Sequence, residues 1–370
     1  MSMRTLAVAV SLFGMLLCAS VLIYARSGTS DAWHSSPSSS TSSTKGNAAG
    51  SAAPKIACGK GSTGVFYGIA GHLEHRGAYR MSDHALQISQ LRDLGVTIYA
   101  QDVSNEESAH MVADFARAAA KQCIGVLALV TPFEQEKRAN EQETFERGYA
   151  LGKTAGRVLK GLVTYYQVGN EYDNWTILGS DRSGEHPSDY DNAKFMKARG
   201  SILGLIKGIR ETNPDAKILL TSFSWLHYGF TDMLYAGTQP DGTSGHPIPH
   251  WDITAWHWYS NMGSITAAGD KKVNVLGRLR DSYGKPIWIT EYGVRPNHAD
   301  PGGYLTGKEA LKGFVSLAKT YNIQNVTLYE LYDDQRYGGD GNYGVIHDDG
   351  KTRKSRFNTV RDFIKANPMP

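Results

Sequence analysis

Val163-Thr164-Tyr165-Tyr166-Gln167-Val168-Gly169-Asn170-Glu171 is a short apolar and aromatic run that ends on a carboxylate. Lys285-Pro286-Ile287-Trp288-Ile289-Thr290-Glu291-Tyr292-Gly293 has the same form further along. Nearly continuous hydrophobicity over this length marks strands covered on both faces, as in a parallel sheet. Working outward, such runs recur at 64–71, 96–103, 124–132, 217–225, 253–259 and 325–333. Helix-like segments alternate with them at 82–94, 106–121, 142–160, 189–212, 274–283, 307–321 and 357–366. Ser82 and Ser104 read as helix caps, and Asn213-Pro214 as a helix stop. Eight βα units in this order predict an α/β fold, a single (β/α)8 TIM barrel. A doubly wound open sheet is the competing arrangement, but no Gly-x-Gly-x-x-Gly opens the first βα turn. No shorter repeat is present, which argues against a solenoid.

Counted this way, Glu171 ends the fourth strand and Glu291 the seventh. Barrels of this kind place their chemistry at the C-terminal ends of the strands. The two-residue period puts Gln167, Gly169 and Glu171 on one face, and Ile287, Ile289 and Glu291 on another. With those faces inward the carboxylates converge across one mouth, and the small Gly169 leaves room beneath Glu171. Such a pair can break a glycosidic bond, one residue as acid and the other as nucleophile. A glutamate that merely forms an ion pair at a strand end is the ordinary alternative. Two at matching tips fit that alternative less well.

The chain has 370 residues and a net charge of +3, without a Lys/Arg block, so no nucleic-acid partner is expected. Aromatics reach 10%, with 20 Tyr and 7 Trp, which suits either a large core or sugar-stacking surfaces. Arg4 precedes an apolar stretch from Thr5 to Tyr24. Its length, about 20 residues, matches a membrane-spanning helix and exceeds the core of a cleaved signal peptide. Residues 1–26 are therefore expected to be a membrane anchor or a signal peptide, with the anchor favoured. Residues 27–55, rich in Ser, read as a flexible linker, and 56–370 as the barrel domain. That domain is expected to be exported, periplasmic or at the cell surface, and monomeric. Cys18 lies in the apolar stretch. Cys58 and Cys123 each precede a strand, which would bring both near one end of the barrel. A disulfide would then be feasible, with two separate buried thiols as the alternative.

Trp175 and Trp225 follow strands four and five and could stack on a sugar or fill the core. His72, Glu74 and His75 follow strand one and could bond sugar hydroxyls. Their spacing is not a recognised zinc pattern, and no metal or organic cofactor is expected. Asp333, Asp334 and the turn Gly338-Gly339-Asp340-Gly341-Asn342 could line the cleft or bind calcium. The acidic spacing does not match an EF-hand, which favours a plain turn.

Gly169-Asn170-Glu171 on strand four and Thr290-Glu291-Tyr292-Gly293 on strand seven resemble the retaining glycoside hydrolases of clan A. The resemblance covers roughly residues 65–365 and is nearest the cellulase-like and xylosidase-related families, including hydrolases of bacterial exopolysaccharide systems. It implies that Glu171 is the acid/base and Glu291 the nucleophile, with Asn170 holding the sugar 2-hydroxyl. In Trp256-His257-Trp258-Tyr259, His257 and Tyr259 match the supporting pair on strand six, the tyrosine bonding the nucleophile. The stretch from Tyr343 to Lys351 also resembles the segment after strand eight in that clan. Two departures stand out. Many members carry an arginine near the end of strand two, where this chain has Tyr99-Ala100-Gln101-Asp102. Many offer a tryptophan platform on strand eight, where this chain has Tyr329, so the floor of the sugar subsite differs. The implied substrate is a polysaccharide or oligosaccharide, handled near the membrane surface if the tether is kept. A non-catalytic carbohydrate-binding barrel would not need both glutamates. A lyase or aldolase would call for a lysine or metal cluster at the strand tips. A transglycosylase would use the same pair.

Overall fold

The computed structural model describes residues 55–58, 61–75, 77–132, 139–334 and 342–370. The expected N-terminal anchor and most of the linker, and residues 338–341 of the Gly-rich turn, lie outside them. Among the described residues no helix is long and apolar enough to cross a membrane. An antiparallel pair, β1 (Lys55–Cys58) and β2 (Gly61–Gly64), comes first. After it come β3 (Tyr67–Gly71), β4 (Ile98–Val103), β5 (Gly125–Val130), β6 (Tyr165–Asn170), β7 (Lys217–Ser224), β8 (Ile253–Tyr259), β9 (Ile287–Gly293) and β10 (Ile323–Leu328). These eight close, in sequence order, into a parallel barrel. The helices are α1 (Ala78–Met81), α2 (His84–Leu94), α3 (Glu106–Ala120), α4 (Glu141–Val158), α5 (Tyr172–Thr176), α6 (Asn192–Thr212), α7 (Tyr228–Ala236), α8 (Val275–Tyr283), α9 (Pro301–Thr306), α10 (Leu311–Tyr321) and α11 (Ser355–Ala366).

The first seven expected runs each contain one barrel strand. The eighth begins two residues early and ends at Leu328, and beyond it Tyr332 forms an isolated bridge with Ile346. Two caps also fall one residue later than expected. The Asp83 carboxylate accepts from Leu86 N, and Asn105 accepts from Ser108 N in a capping box. Ser104 is occupied elsewhere, its hydroxyl donating to Glu74 Oε2 at 2.6 Å.

Alternation sorts the side chains into two cores. Inside the barrel lie Ile98, Leu127, Tyr165, Leu219, Ala255 and Trp288 with their neighbours. Tyr166, Val168, Leu220, Trp256, Ile287 and Ile289 pack outward, towards the helices. On β6 the expected face points inward, with Tyr165. On β9 the expectation is reversed, since Trp288 is inside and Ile287 and Ile289 are outside. A β-bulge restores Glu291 to the inner face. Trp256 pairs with Ile289, yet the next residue, His257, pairs with Glu291. Two residues of β9 thus oppose one of β8, and the strand is re-aimed at its tip.

The β1–β2 hairpin, which the sequence pattern does not reveal, closes the opposite end. Ile56 packs on the inner core, and a Cβ on Gly125, which opens β5, would strike it. Cys58 is disulfide-bonded to Cys123, with their Cα atoms 5.0 Å apart.

The two βα units around Glu171 pack unusually closely. Gly148, Gly152 and Gly156 of α4 face Gly200, Gly204 and Gly208 of α6. A Cβ on Gly204 would meet the Phe145 carbonyl, and one on Gly208 the Tyr149 carbonyl, so backbone lies against backbone. Arg199, 2% exposed, clamps the pair through both oxygens of Glu141 at 2.7 and 2.9 Å.

Candidate active site

Three strands converge on the mouth. β6 ends in Gly169 and Asn170, and Glu171 comes next with left-handed torsions, φ 45° and ψ 43°. Gly169 is also left-handed, and a Cβ there would meet Tyr172 and Thr221. A non-glycine residue in that region costs about 1–2 kcal/mol, so Glu171 is held by its surroundings. β8 contributes His257 and Tyr259 on the inward parity of Ile253 and Ala255, and the β9 bulge contributes Glu291.

One oxygen of Glu171, one of Glu291 and a ring nitrogen of His257 lie within 4.8 Å of one another. His257, fully buried, places Nδ1 2.9 Å from Glu171 Oε1 and 3.3 Å from Glu291 Oε2. The Tyr259 hydroxyl donates to Glu291 Oε2 at 2.6 Å, and Asn174 Nδ2 donates to Glu171 Oε2 at 3.0 Å. Arg295, beyond β9, stacks on Tyr259 with its guanidinium 4.4 Å from the ring centre. It also donates to Asn261 Oδ1 and the Tyr343 hydroxyl.

Burial pushes both carboxyls towards the neutral form, but their neighbours differ. Around Glu171 the bond and charge of His257, with Asn174 and Arg295, outweigh burial and hold its pKa below the usual range. Glu291 is held above that range by burial and by Glu171, against His257, Tyr259 and His72. An acid/base that is protonated at neutral pH calls for a raised pKa, and here the direction is the reverse. His257 bonds directly to the Glu171 carboxyl, which favours its charged form.

A second polar cluster borders the first. His72 places Nδ1 2.5 Å from Asp102 Oδ2 and Nε2 3.4 Å from Glu330 Oε2. His75 stacks on it, ring centres 4.3 Å apart, and meets Asp334 Oδ2 at 3.0 Å. Tyr79 donates to Glu330 Oε2 at 2.8 Å. Burial raises Glu330 to about 8. His72, His75 and Asp102 bring three potential ligand atoms within 4.8 Å. His72 Nδ1 and Asp102 Oδ2 already stand at hydrogen-bond distance from each other. These residues form a hydrogen-bonded network.

The remaining candidates spread around the mouth. Asn170 lies 3.4 Å from Gln167 Nε2 through its Oδ1. Trp175 and Trp225 are half-buried against the outer core, Trp225 stacked 5.9 Å from Trp258. Tyr329 packs on the inner core between His72 and Tyr259, at 5.6 and 6.3 Å between ring centres. Asp333 is tied to Lys354 Nζ at 2.6 Å and accepts from Gly344 N, bracing the segment after β10. Asn174, Arg295, Glu330 and Tyr343 were not anticipated.

Residues 234–320 match the family model described as glycosyl hydrolase catalytic core. The match spans β8 and β9, with His257, Tyr259 and Glu291, and leaves out Glu171. Among solved structures the fold is similar to a β-glucosidase from Thermotoga maritima in complex with noeuromycin. Its TM-score is 0.61 at 13% identity, covering 83% of this chain and 99% of that one. The same organism's β-glucosidase with glucoimidazole gives 0.59 at 12% identity, with the same coverage. Identities this low speak for the fold. No curated protein matches the sequence. Part of the chain, residues 234–320, thus matches a glycosyl hydrolase catalytic core, and the described domain as a whole has the (β/α)8 fold of those β-glucosidases.

Proposed function

We propose that the chain is a retaining glycosidase that cleaves a β-linked polysaccharide or oligosaccharide by double displacement. The carrying observation is the closeness of the two carboxyls, one oxygen of each within 4.8 Å. Retaining enzymes hold their carboxyl groups about 5–5.5 Å apart, whereas inverting ones leave about 6.5–9.5 Å for a water. The Tyr259 hydrogen bond favours charge on Glu291, the nucleophile. Glu171 stands nearer the opening, its side chain 31% exposed against 16% for Glu291, as suits an acid/base.

Glu291 attacks the anomeric carbon as the bond to the leaving oxygen breaks, and that oxygen takes the Glu171 proton. Water then gives a proton to Glu171 and its oxygen to the anomeric carbon, freeing Glu291 with the configuration retained. Glu171 must carry the proton when the glycosidic bond breaks. His257 touches both carboxyls, so a shift of its bond from one to the other changes which of them holds the proton. Asn170 would bond the 2-hydroxyl, Tyr329 would floor the sugar subsite, and Trp175 and Trp225 would offer stacking faces. His72 and Asp333 complete the polar border. The apolar residues 1–26 support an exported, tethered enzyme acting on a polymer near the membrane.

The test is turnover of the full chain on aryl β-glycosides and polysaccharides, beside Glu171→Gln and Glu291→Gln. Each change should lower turnover roughly 10³-fold or more. Proton NMR of the first product should show the β-anomer. Wild-type turnover in Glu291→Gln, or an inverted first product, would refute the assignment.

A further inference from the structure

Arg295 follows β9 at the rim of the mouth, and its side chain is held in place although the residue is exposed. Its guanidinium lies 4.4 Å from the centre of the Tyr259 ring, and the Tyr259 hydroxyl donates to Glu291 Oε2 at 2.6 Å. Nε donates to Asn261 Oδ1 at 2.9 Å and Nη1 to the Tyr343 hydroxyl at 2.8 Å. The backbone N–H donates to Ser260 Oγ at 2.9 Å. All of these partners are neutral. Among the described residues Arg295 has no carboxylate partner, and none accepts from Nη2. The acids that border the same mouth differ, because each already has a base. Asp102 has His72, Asp334 has His75 and Asp333 has Lys354. Fixing a long side chain costs rotamer freedom, yet neutral contacts fix this one and leave part of its N–H edge over.

We propose that Arg295 is a specificity-determining residue that pairs with a carboxylate on the glycan, so that the enzyme acts on an acidic polysaccharide. This names the substrate class of the proposed glycosidase and rests on that reading. A guanidinium meets a carboxylate through several N–H bonds at once, and such charge-assisted bonds are the strong ones. Nη2 offers both of its N–H groups, and stacking on Tyr259 keeps their plane fixed. The Tyr259 ring separates the guanidinium from Glu291, so the carboxylate belongs to the sugar being cleaved or to the one beside it. A neutral glucan would leave this charge unmatched. The carboxylate is supplied by C6 of a uronic acid or by an acidic substituent, such as a pyruvate ketal, on a neutral sugar.

The test offers the full chain alginate, hyaluronan and xanthan, each native and with its uronic carboxyls reduced to primary alcohols. At least one native polymer should be cleaved roughly 10- to 100-fold faster than its reduced form. Arg295→Met should abolish that preference, and Arg295→Lys, which keeps the charge but loses the fork, should keep part of it. The ratio within each pair is the readout, because the Arg295 charge also acts on Glu171 and its loss changes turnover of both forms alike. Xanthan stripped of pyruvate but not of glucuronate separates the two sources of the carboxylate. Equal turnover of native and reduced forms, or a preference that survives Arg295→Met, overturns the proposal. Calorimetric binding of the same pairs needs no turnover. Binding of native forms that depends on Arg295, without cleavage of any glycan, would count against the proposed function and leave the carboxylate site standing. Native forms that are neither bound nor cleaved overturn the site as well.

Discussion

The nucleophile's direction is set at Thr290 and Glu291, where β9 spends two residues against one of β8. Regular alternation would have placed Glu291 with Ile287 and Ile289, among the helices. The bulge brings it instead to the Tyr259 hydroxyl. A hydrogen bond to a charged group is worth about 1.5–3 kcal/mol. Tyr259→Phe should therefore lower kcat/KM by roughly 10- to 100-fold and move its acid limb to higher pH, as a pH–rate series would show. The two glutamates were legible because an apolar run that stops on a carboxylate breaks the pattern of a buried strand. The bulge was not, because it changes pairing without changing composition. Asn174, Arg295 and Glu330 escaped for another reason. Each reaches the mouth from its own segment, and only closure of the barrel brings those segments together.

Between elements, the tightest seam joins α4 to α6 beside the strand that carries Glu171. Gly148-x3-Gly152-x3-Gly156 and Gly200-x3-Gly204-x3-Gly208 line it, and close backbone approach allows weak Cα–H···O contacts. Each glycine costs about 1 kcal/mol of helix propensity relative to alanine, so alanine would be the better residue on an isolated helix. Here the sign should reverse. Gly204→Ala should destabilise the fold by about 1–3 kcal/mol, because its methyl meets the Phe145 carbonyl and the helices must part. Urea unfolding of the variant beside the parent chain would check it. This seam was written in the sequence as two four-residue glycine ladders. A search for large apolar residues at helical spacing passes over it, since the contact is made by what is missing. Both helices were expected from their flanks, but not their intimacy.

Across the molecule, the barrel was legible because eight buried strands alternate with helices and the rival doubly wound sheet lacks its Gly-x-Gly-x-x-Gly turn. The β1–β2 hairpin was not, since four-residue strands carry too little pattern to stand out beside a Ser-rich stretch. It is nevertheless fastened by the Cys58–Cys123 bridge, whose partners are 65 residues apart. Closing a loop of that size removes unfolded-state entropy worth about 4 kcal/mol. Replacing both cysteines by serine should lower the unfolding free energy by up to that amount and leave kcat/KM unchanged, because the bridge sits at the end away from the glutamates. Melts and kinetics of the double variant, with and without reductant, would check this. The hairpin also fixes where the chain enters and leaves. Lys55 opens it, and Pro370 lies against Gly64 at its close. A handle joined directly before Lys55 or after Pro370 therefore grips the sealed pole. A bead or a lipid sheet holding that handle would lie behind the barrel, and a long glycan would meet the working face from the open side.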